Sequence, residues 1–160
     1  MTTTISAVLS KEDLLKHWLG HRNLTRRVIE AFPEKELFEF SIGGMRTFAQ
    51  LATELISIGG PALQAIVSDE EKTYSEEAFV PRSKEDILKK WDEETEVIKA
   101  YYAQIPEERF GETFNLFGEY NFPIVDNIFY FIDNEIHHRG QGYVYLRALG
   151  IEPPFFWERG

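Results

Sequence analysis

The residues with the most chemical capacity are Asp133-Asn134-Glu135-Ile136-His137-His138-Arg139-Gly140-Gln141, inside a long apolar segment near the C-terminus. At helical spacing, Asn127, Asn134, His138, Gln141 and Tyr145 fall within about 40° of one line. The background is apolar nearly all round, with Ile124, Ile128, Phe131, Ile132 and Ile136, as expected of a central or interface helix. An unpaired buried polar group costs roughly 1–3 kcal/mol, so this stripe needs side chains, water, a metal or a ligand as partners. Asn134 and His138 stand at i and i+4, where two side chains can grip one ion. A neutral amide oxygen is a poor ligand for zinc or nickel, and a hydrogen-bonded core asparagine and histidine fit the spacing equally well. His137 is about 100° round the helix from His138, a supporting or surface position. Glu135 and Arg139 read as a modest helix-stabilising i,i+4 contact. Gly140 and Gly142 predict close approach of a neighbouring helix or of the tail.

Two further groups compete for attention. His17 and His21 have better metal spacing than Asn134 and His138. However, His21 is central on an apolar face, His17 is marginal and no carboxylate shares that face, so a satisfied core histidine with a half-exposed neighbour is the favoured reading. Glu94 falls in the middle of an apolar face, where it serves either Trp or Tyr donors or a functional site.

These residues need helices to position them. Ser10 with Asp13 resembles a capping box and opens a first helix with Leu14, Trp18, His21, Thr25, Val28 and Phe32 on one face; Arg22, Asn23, Arg26 and Glu30 lie mostly opposite, and Pro33 ends it. Residues 33–46 read as a connection. A second helix starts near Thr47, with Phe48, Leu51, Leu55 and Ile58 as its stripe and Glu54 at the edge. Gly59-Gly60-Pro61 is expected to break or kink it. Residues 68–82 read mostly as a polar loop. Ser83 caps a third helix running to Ile105, and residues 106–122 form a long connection rich in aromatics. The fourth helix begins at Pro123 and ends at Leu149, with Gly150 as its stop. The tail Phe155-Phe156-Trp157 is expected to pack back on the body. The fold class is therefore all-α: a four-helix bundle whose long connections after the first and third helices permit crossovers.

Composition bounds the function. At 160 residues the expectation is one bundle domain over 1–160. A formal net charge of −10 argues against nucleic-acid binding, which needs a basic footprint. The absence of cysteine excludes disulfides, thiolate nucleophiles and Cys-ligated zinc, and agrees with a cytoplasmic setting. The N-terminus reads as no signal peptide. No run of eighteen apolar residues occurs, so no membrane span is expected.

His137-His138-Arg139-Gly140-Gln141, followed by Tyr145-Leu146-Arg147-Ala148-Leu149-Gly150 and Pro153-Pro154, resembles the C-terminal signature of the DinB-like, YfiT-related four-helix bundles. Thr47-Phe48-Ala49-Gln50-Leu51 resembles the opening of that family's second helix. The resemblance implies metal-dependent hydrolase or thiol-transferase chemistry, a small-molecule substrate and a homodimer. It also implies a three-histidine metal site whose positions fall on Glu54, Asn134 and His138. Two of the three depart from histidine. A Glu/Asn/His set is harder and weaker than three imidazoles, favouring manganese, iron or magnesium over zinc or nickel, or no metal at all.

Three readings follow. In the first, a divalent ion on Glu54 and His138, assisted by Asn134, polarises a substrate carbonyl or activates water, while Gln141, Tyr145, His137 or Glu94 orient substrate. In the second, the same cavity has lost its metal and binds a small organic ligand. The third is a structural dimer subunit with a satisfied polar core.

Overall fold

The computed structural model describes residues 7–160. Four long helices form the bundle: α1 (Lys11–Ala31), α3 (Phe48–Ser68), α4 (Lys84–Tyr102) and α5 (Ile124–Ala148), with a short α2 (Glu34–Glu39) between the first two. The caps expected at Ser10 and Ser83 are present, and α3 has one that the sequence reading did not name. Ser10 Oγ accepts the Asp13 N–H at 3.0 Å while Asp13 accepts from the Ser10 N–H at 3.4 Å. Thr47 and Gln50 make the same reciprocal pair at α3, and Ser83 Oγ accepts the Asp86 N–H at α4. Each satisfies amides that a helix start leaves without partners.

α1 packs on α4 and α5, and α3 packs on the same two helices. The helices circle the core in the order α1, α4, α3, α5, so the α1-to-α3 and α4-to-α5 connections both cross the bundle diagonally. This is the crossover topology that the long connections allow. By length and composition α3 could span a membrane, but two thirds of its apolar window is enclosed within the bundle.

The core divides into two apolar clusters. One gathers Trp18, Leu63, Ile98, Ile128 and Ile132, the other Val28, Phe32, Phe48, Trp91 and Leu146. Between them, at the waist, runs a belt of buried polar side chains: His21, Arg22 and Thr25 of α1, Glu94 of α4, and Glu135, His138 and Arg139 of α5.

Several expectations are corrected. Gly59-Gly60-Pro61 does not break α3, which is continuous through Pro61. The glycines act by bringing α4 and α1 close: a Cβ at Gly59 would sit 3.1 Å from both Ile98 and Trp18, and one at Gly60 would strike Glu94. The connection 106–122 holds a 3-10 turn, Glu107–Gly111, and most of an antiparallel hairpin, β1 (Thr113–Leu116) with β2 (Tyr120–Pro123), in register Leu116 to Tyr120.

Arg22 does not face outward. It is 2% exposed, lies 4.1 Å over the Trp91 ring, donates to Thr95 Oγ1 at 2.8 Å and approaches Glu135 at 3.8 Å. Nor are Glu135 and Arg139 a surface pair. Glu135 accepts from Thr25 Oγ1 at 2.7 Å, and Arg139 donates to the His21 carbonyl at 3.1 Å.

The tail is tied to the body by polar contacts, and the expected burial of its aromatic rings does not occur. Tyr143 donates to the Pro154 carbonyl at 2.7 Å and Arg27 donates to that of Glu158. Phe155 and Trp157 stack on each other with centroids 4.9 Å apart, and all three tail rings are about half exposed or more.

Candidate functional site

Glu54 of α3 meets Asn134 and His138 of α5, because α3 and α5 are neighbours in the ring and all three residues fall at the level of the waist. His138 Nε2 lies 2.6 Å from Glu54 Oε2, and the Asn134 amide donates to the same oxygen at 3.0 Å. Arg46, in the turn before α3, donates to Glu54 Oε1 at 2.9 Å. His138 Nδ1 is 2.8 Å from Gln141 Oε1, whose amide nitrogen reaches the Met45 sulfur. Tyr145 is fully buried and donates to the Arg46 carbonyl at 2.8 Å, holding the turn that delivers the guanidinium.

With Nε2 on a carboxylate and Nδ1 on an amide oxygen, both imidazole nitrogens are donors, which is the protonated form. The electrostatics agree. Hydrogen bonding to Glu54 raises His138 above its ordinary value against the pull of burial, and Gln141 adds to it. Burial alone would raise the Glu54 carboxyl; hydrogen bonds from His138, Asn134 and Arg46 outweigh it and hold the group at about 2.

Above this network lies a cavity of about 340 Å³, which His137 and Asn127 also line. Its walls are aromatic: Tyr74, Phe117, Tyr120, Tyr130 and Phe131. Tyr120 and Tyr130 stack at 6.2 Å, and Tyr74 donates to Glu76 at 2.6 Å. Phe117 sits in the left-handed region at φ 55°, a conformation costing an ordinary residue roughly 1–2 kcal/mol.

The donor set does not fit a zinc or nickel ion as arranged. Ligands about 2.1 Å from one tetrahedral ion stand roughly 3.4 Å apart, whereas Glu54 and His138 are at hydrogen-bonding distance. Asn134 turns its NH₂ rather than its oxygen to the carboxylate, and Arg46 sets a cation on the other carboxylate oxygen. Among the described residues no three His, Cys, Asp or Glu side chains converge as a metal set.

Of the remaining candidates, Glu94 is apart from this cavity. It lies on α4, lines a different one and receives no Trp or Tyr donor: Trp91 Nε1 donates to the Arg22 carbonyl instead. His17 and His21 approach with their Nε2 atoms 3.2 Å apart. His21 Nδ1 faces the Arg139 guanidinium at 3.0 Å, while Nε2 faces both His17 and the Arg159 guanidinium, the latter also at 3.0 Å. Burial, then Arg139, His17 and Arg159, lower His21 to about 3. Both ring nitrogens of His21 are taken up by protein neighbours, and two guanidiniums beside the ring disfavour a metal cation there.

Sequence reasoning did not single out Arg46 or the individual aromatic walls. Arg46 stands in a polar turn with no periodicity to mark it; the aromatic density of residues 106–122 was the available signal for Phe117 and Tyr120.

Solved structures share the fold. A DinB-like protein from Bacillus cereus ATCC 10987 superposes with a TM-score of 0.73 at 19% identity, covering 90% of this chain and 95% of that one. The DinB-like protein YjoA from Bacillus subtilis gives 0.69 at 20% identity, covering 89% and 96%. No curated protein matches. The family model described as the DinB family matches residues 1–159, and the chain belongs to the DinB family.

Proposed function

We propose that this DinB-family chain binds a small organic ligand without a metal ion, in the cavity between α3, α5 and the hairpin. The observation that carries this reading is the 2.6 Å contact between His138 and Glu54, with Arg46 on the other carboxylate oxygen. The network is satisfied internally. Both imidazole nitrogens and both carboxylate oxygens have partners, so none is left to take a substrate proton or grip an ion. What remains for a ligand is the side-chain oxygen of Asn134, the hydroxyls of Tyr120 and Tyr130, and apolar ring surface. A few fixed polar groups in an aromatic cleft are the usual makings of a small-molecule site.

The test is elemental analysis of the untagged protein, before and after incubation with zinc, nickel, manganese and iron, beside a thermal-shift screen of small organic compounds. The expected result is no stoichiometric metal, and stabilising compounds whose effect is lost in Tyr130→Ala. About one transition metal per chain, lost in His138→Ala, would restore the metal-dependent hydrolase or transferase reading.

We also infer that the chain forms a homodimer through α5. Phe129, Ile136 and Val144 follow one outward-facing line and remain exposed, unusual for three large apolar groups on one helix. Light scattering on Ile136→Glu should give a monomer where the wild type gives a dimer.

A further inference from the structure

Two side-chain oxygens on one line of α5 border the cavity above Glu54 and His138 with nothing donating to them. Asn127 and Asn134 both line that cavity. At i and i+7 they stand about two turns apart, roughly 10 Å along the helix axis. The Asn134 NH₂ donates to Glu54 at 3.0 Å, and the Asn127 NH₂ donates to the Phe122 carbonyl of β2 at 3.4 Å. An ionised carboxylate and a backbone carbonyl can only accept. In each amide, therefore, the nitrogen is committed and the oxygen is left over.

These oxygens open on the cavity and are not sealed in packing. Among the described residues the one buried side-chain nitrogen or oxygen that lacks a partner is Glu94 Oε2, set against Gly60. The two amide oxygens have no donor either, so they are accessible. Asn127 is only 3% exposed, and the little surface it keeps belongs to the cavity it lines. An amide oxygen so placed takes N–H or O–H groups from whatever fills the space.

The rest of the lining sets the shape and charge of the occupant. Tyr130 lies between the two asparagines in sequence and stacks on Tyr120 at 6.2 Å. With Tyr74, Phe117 and Phe131 they wall a space of about 340 Å³, and flat ring surface suits a flat aromatic occupant. Neither sign of charge suits it. Protonated His138 and Arg46 outnumber Glu54 around the cavity, which opposes a cation. Arg46 is already shared between Glu54 at 2.9 Å and Glu76 at 3.9 Å, and the two amide oxygens oppose an anion.

We infer that the ligand of this cavity is an uncharged aromatic compound with N–H donors at opposite ends of its ring, bound by the side-chain oxygens of Asn127 and Asn134. One para-substituted ring, with a hydrogen bond of about 2.9 Å at each end, covers a gap of roughly 10 Å. The inference rests on the reading of this cavity as a metal-free ligand site. It adds the class of compound and the two residues that select it.

The experiment is calorimetric titration of the whole chain with para-aminobenzamide and with analogues in which methyl replaces one or both NH₂ groups: para-methylbenzamide, para-aminoacetophenone and para-methylacetophenone. The anion para-aminobenzoate completes the series. Para-aminobenzamide should bind about tenfold more tightly than para-methylacetophenone, the worth of two neutral hydrogen bonds. The single replacements should fall between them, and the anion should bind more weakly than the parent. Asn127→Leu should erase the preference for NH₂ at one end of the ring, and Asn134→Leu at the other. Equal affinity across the neutral series, tightest binding of the anion, no binding by any probe, or unchanged discrimination in both variants would overturn the inference. Equal affinities that are still lost in Tyr130→Ala would do so while leaving the cavity a ligand site, whereas about one transition metal per chain would remove both readings. Should the leucine variants fail to fold, the neutral series on the wild type decides alone.

Discussion

His138 Nε2 and Glu54 Oε2, on helices that meet only in the folded bundle, share one proton across 2.6 Å. That contact ties α3 to α5 at the waist, where the two apolar clusters stop and each polar group needs a partner. It also defines what a change of side chains should restore. Replacing both departures, Glu54→His with Asn134→His, would set three imidazoles around one point beside an aromatic cavity. The double variant should take up about one zinc or nickel per chain by elemental analysis. Arg46 then loses its carboxylate, so adding Arg46→Met should tighten metal binding further.

Stability should depend on pH through two histidines of opposite sense. His138 is raised above the ordinary 6.5 by Glu54, so its contribution is fully present below that value and is lost as pH rises through its elevated one. Glu54, held near 2 against an ordinary 4.5, contributes above 4.5 and loses that contribution as pH falls towards 2. His21 is lowered from 6.5 to about 3. The unfolded chain therefore binds more protons there, and acidification from 6.5 to 3 destabilises the fold. Urea titrations across pH should show a flatter alkaline limb in His138→Gln and a flatter acid limb in His21→Gln. A steeper alkaline limb in His138→Gln would contradict the charged pair.

Two glycines two residues apart on α5 should respond in opposite directions to alanine. A Cβ at Gly142 would lie 2.6 Å from the Phe48 ring, whereas one at Gly140 meets nothing within 4 Å. Gly142→Ala is expected to lose about 1–3 kcal/mol through overpacking. Gly140→Ala should gain roughly 0.5–1 kcal/mol from helix propensity alone. Denaturant midpoints at unchanged m-value would report both.

The buried ion pair at the waist should be costly to break and cheap to replace. Arg22 and Glu135 are both about 2% exposed, so Glu135→Leu alone leaves Arg22 and Arg139 in the core without their carboxylate. A loss of about 3–5 kcal/mol is expected, and Arg22→Met with Glu135→Leu should recover the part owed to Arg22, Arg139 still lacking its carboxylate. A double-mutant cycle showing simple additivity would remove the coupling from this account.

The long helices were legible because periodicity and caps agree: Ser10 with Asp13 and Ser83 with Asp86 cap as their spacing indicates. α2 and the hairpin were not, since six residues are under two turns and four-residue strands give too little alternation to count. Gly59-Gly60-Pro61 misled because the same residues that stop a helix also let another helix approach it. Of the site, Glu54, Asn134 and His138 were readable from the family pattern, and the structure does bring them together. Glu135 and Arg139 were misread because an i,i+4 charge pair has the same spacing in water as in a core. Only the packing of α1 against α5 tells the two apart.

That arrangement gives α5 a mechanical property. Asn134 and His138 engage α3, while Glu135 and Arg139, each one residue on and so about 100° further round, engage α1. The helix is keyed from two sides, like a shaft with two slots, and cannot turn or slide without breaking both sets at once. Any adjustment to an incoming molecule therefore falls to the parts outside the key: the loop carrying Tyr74, and the hairpin tip carrying Phe117.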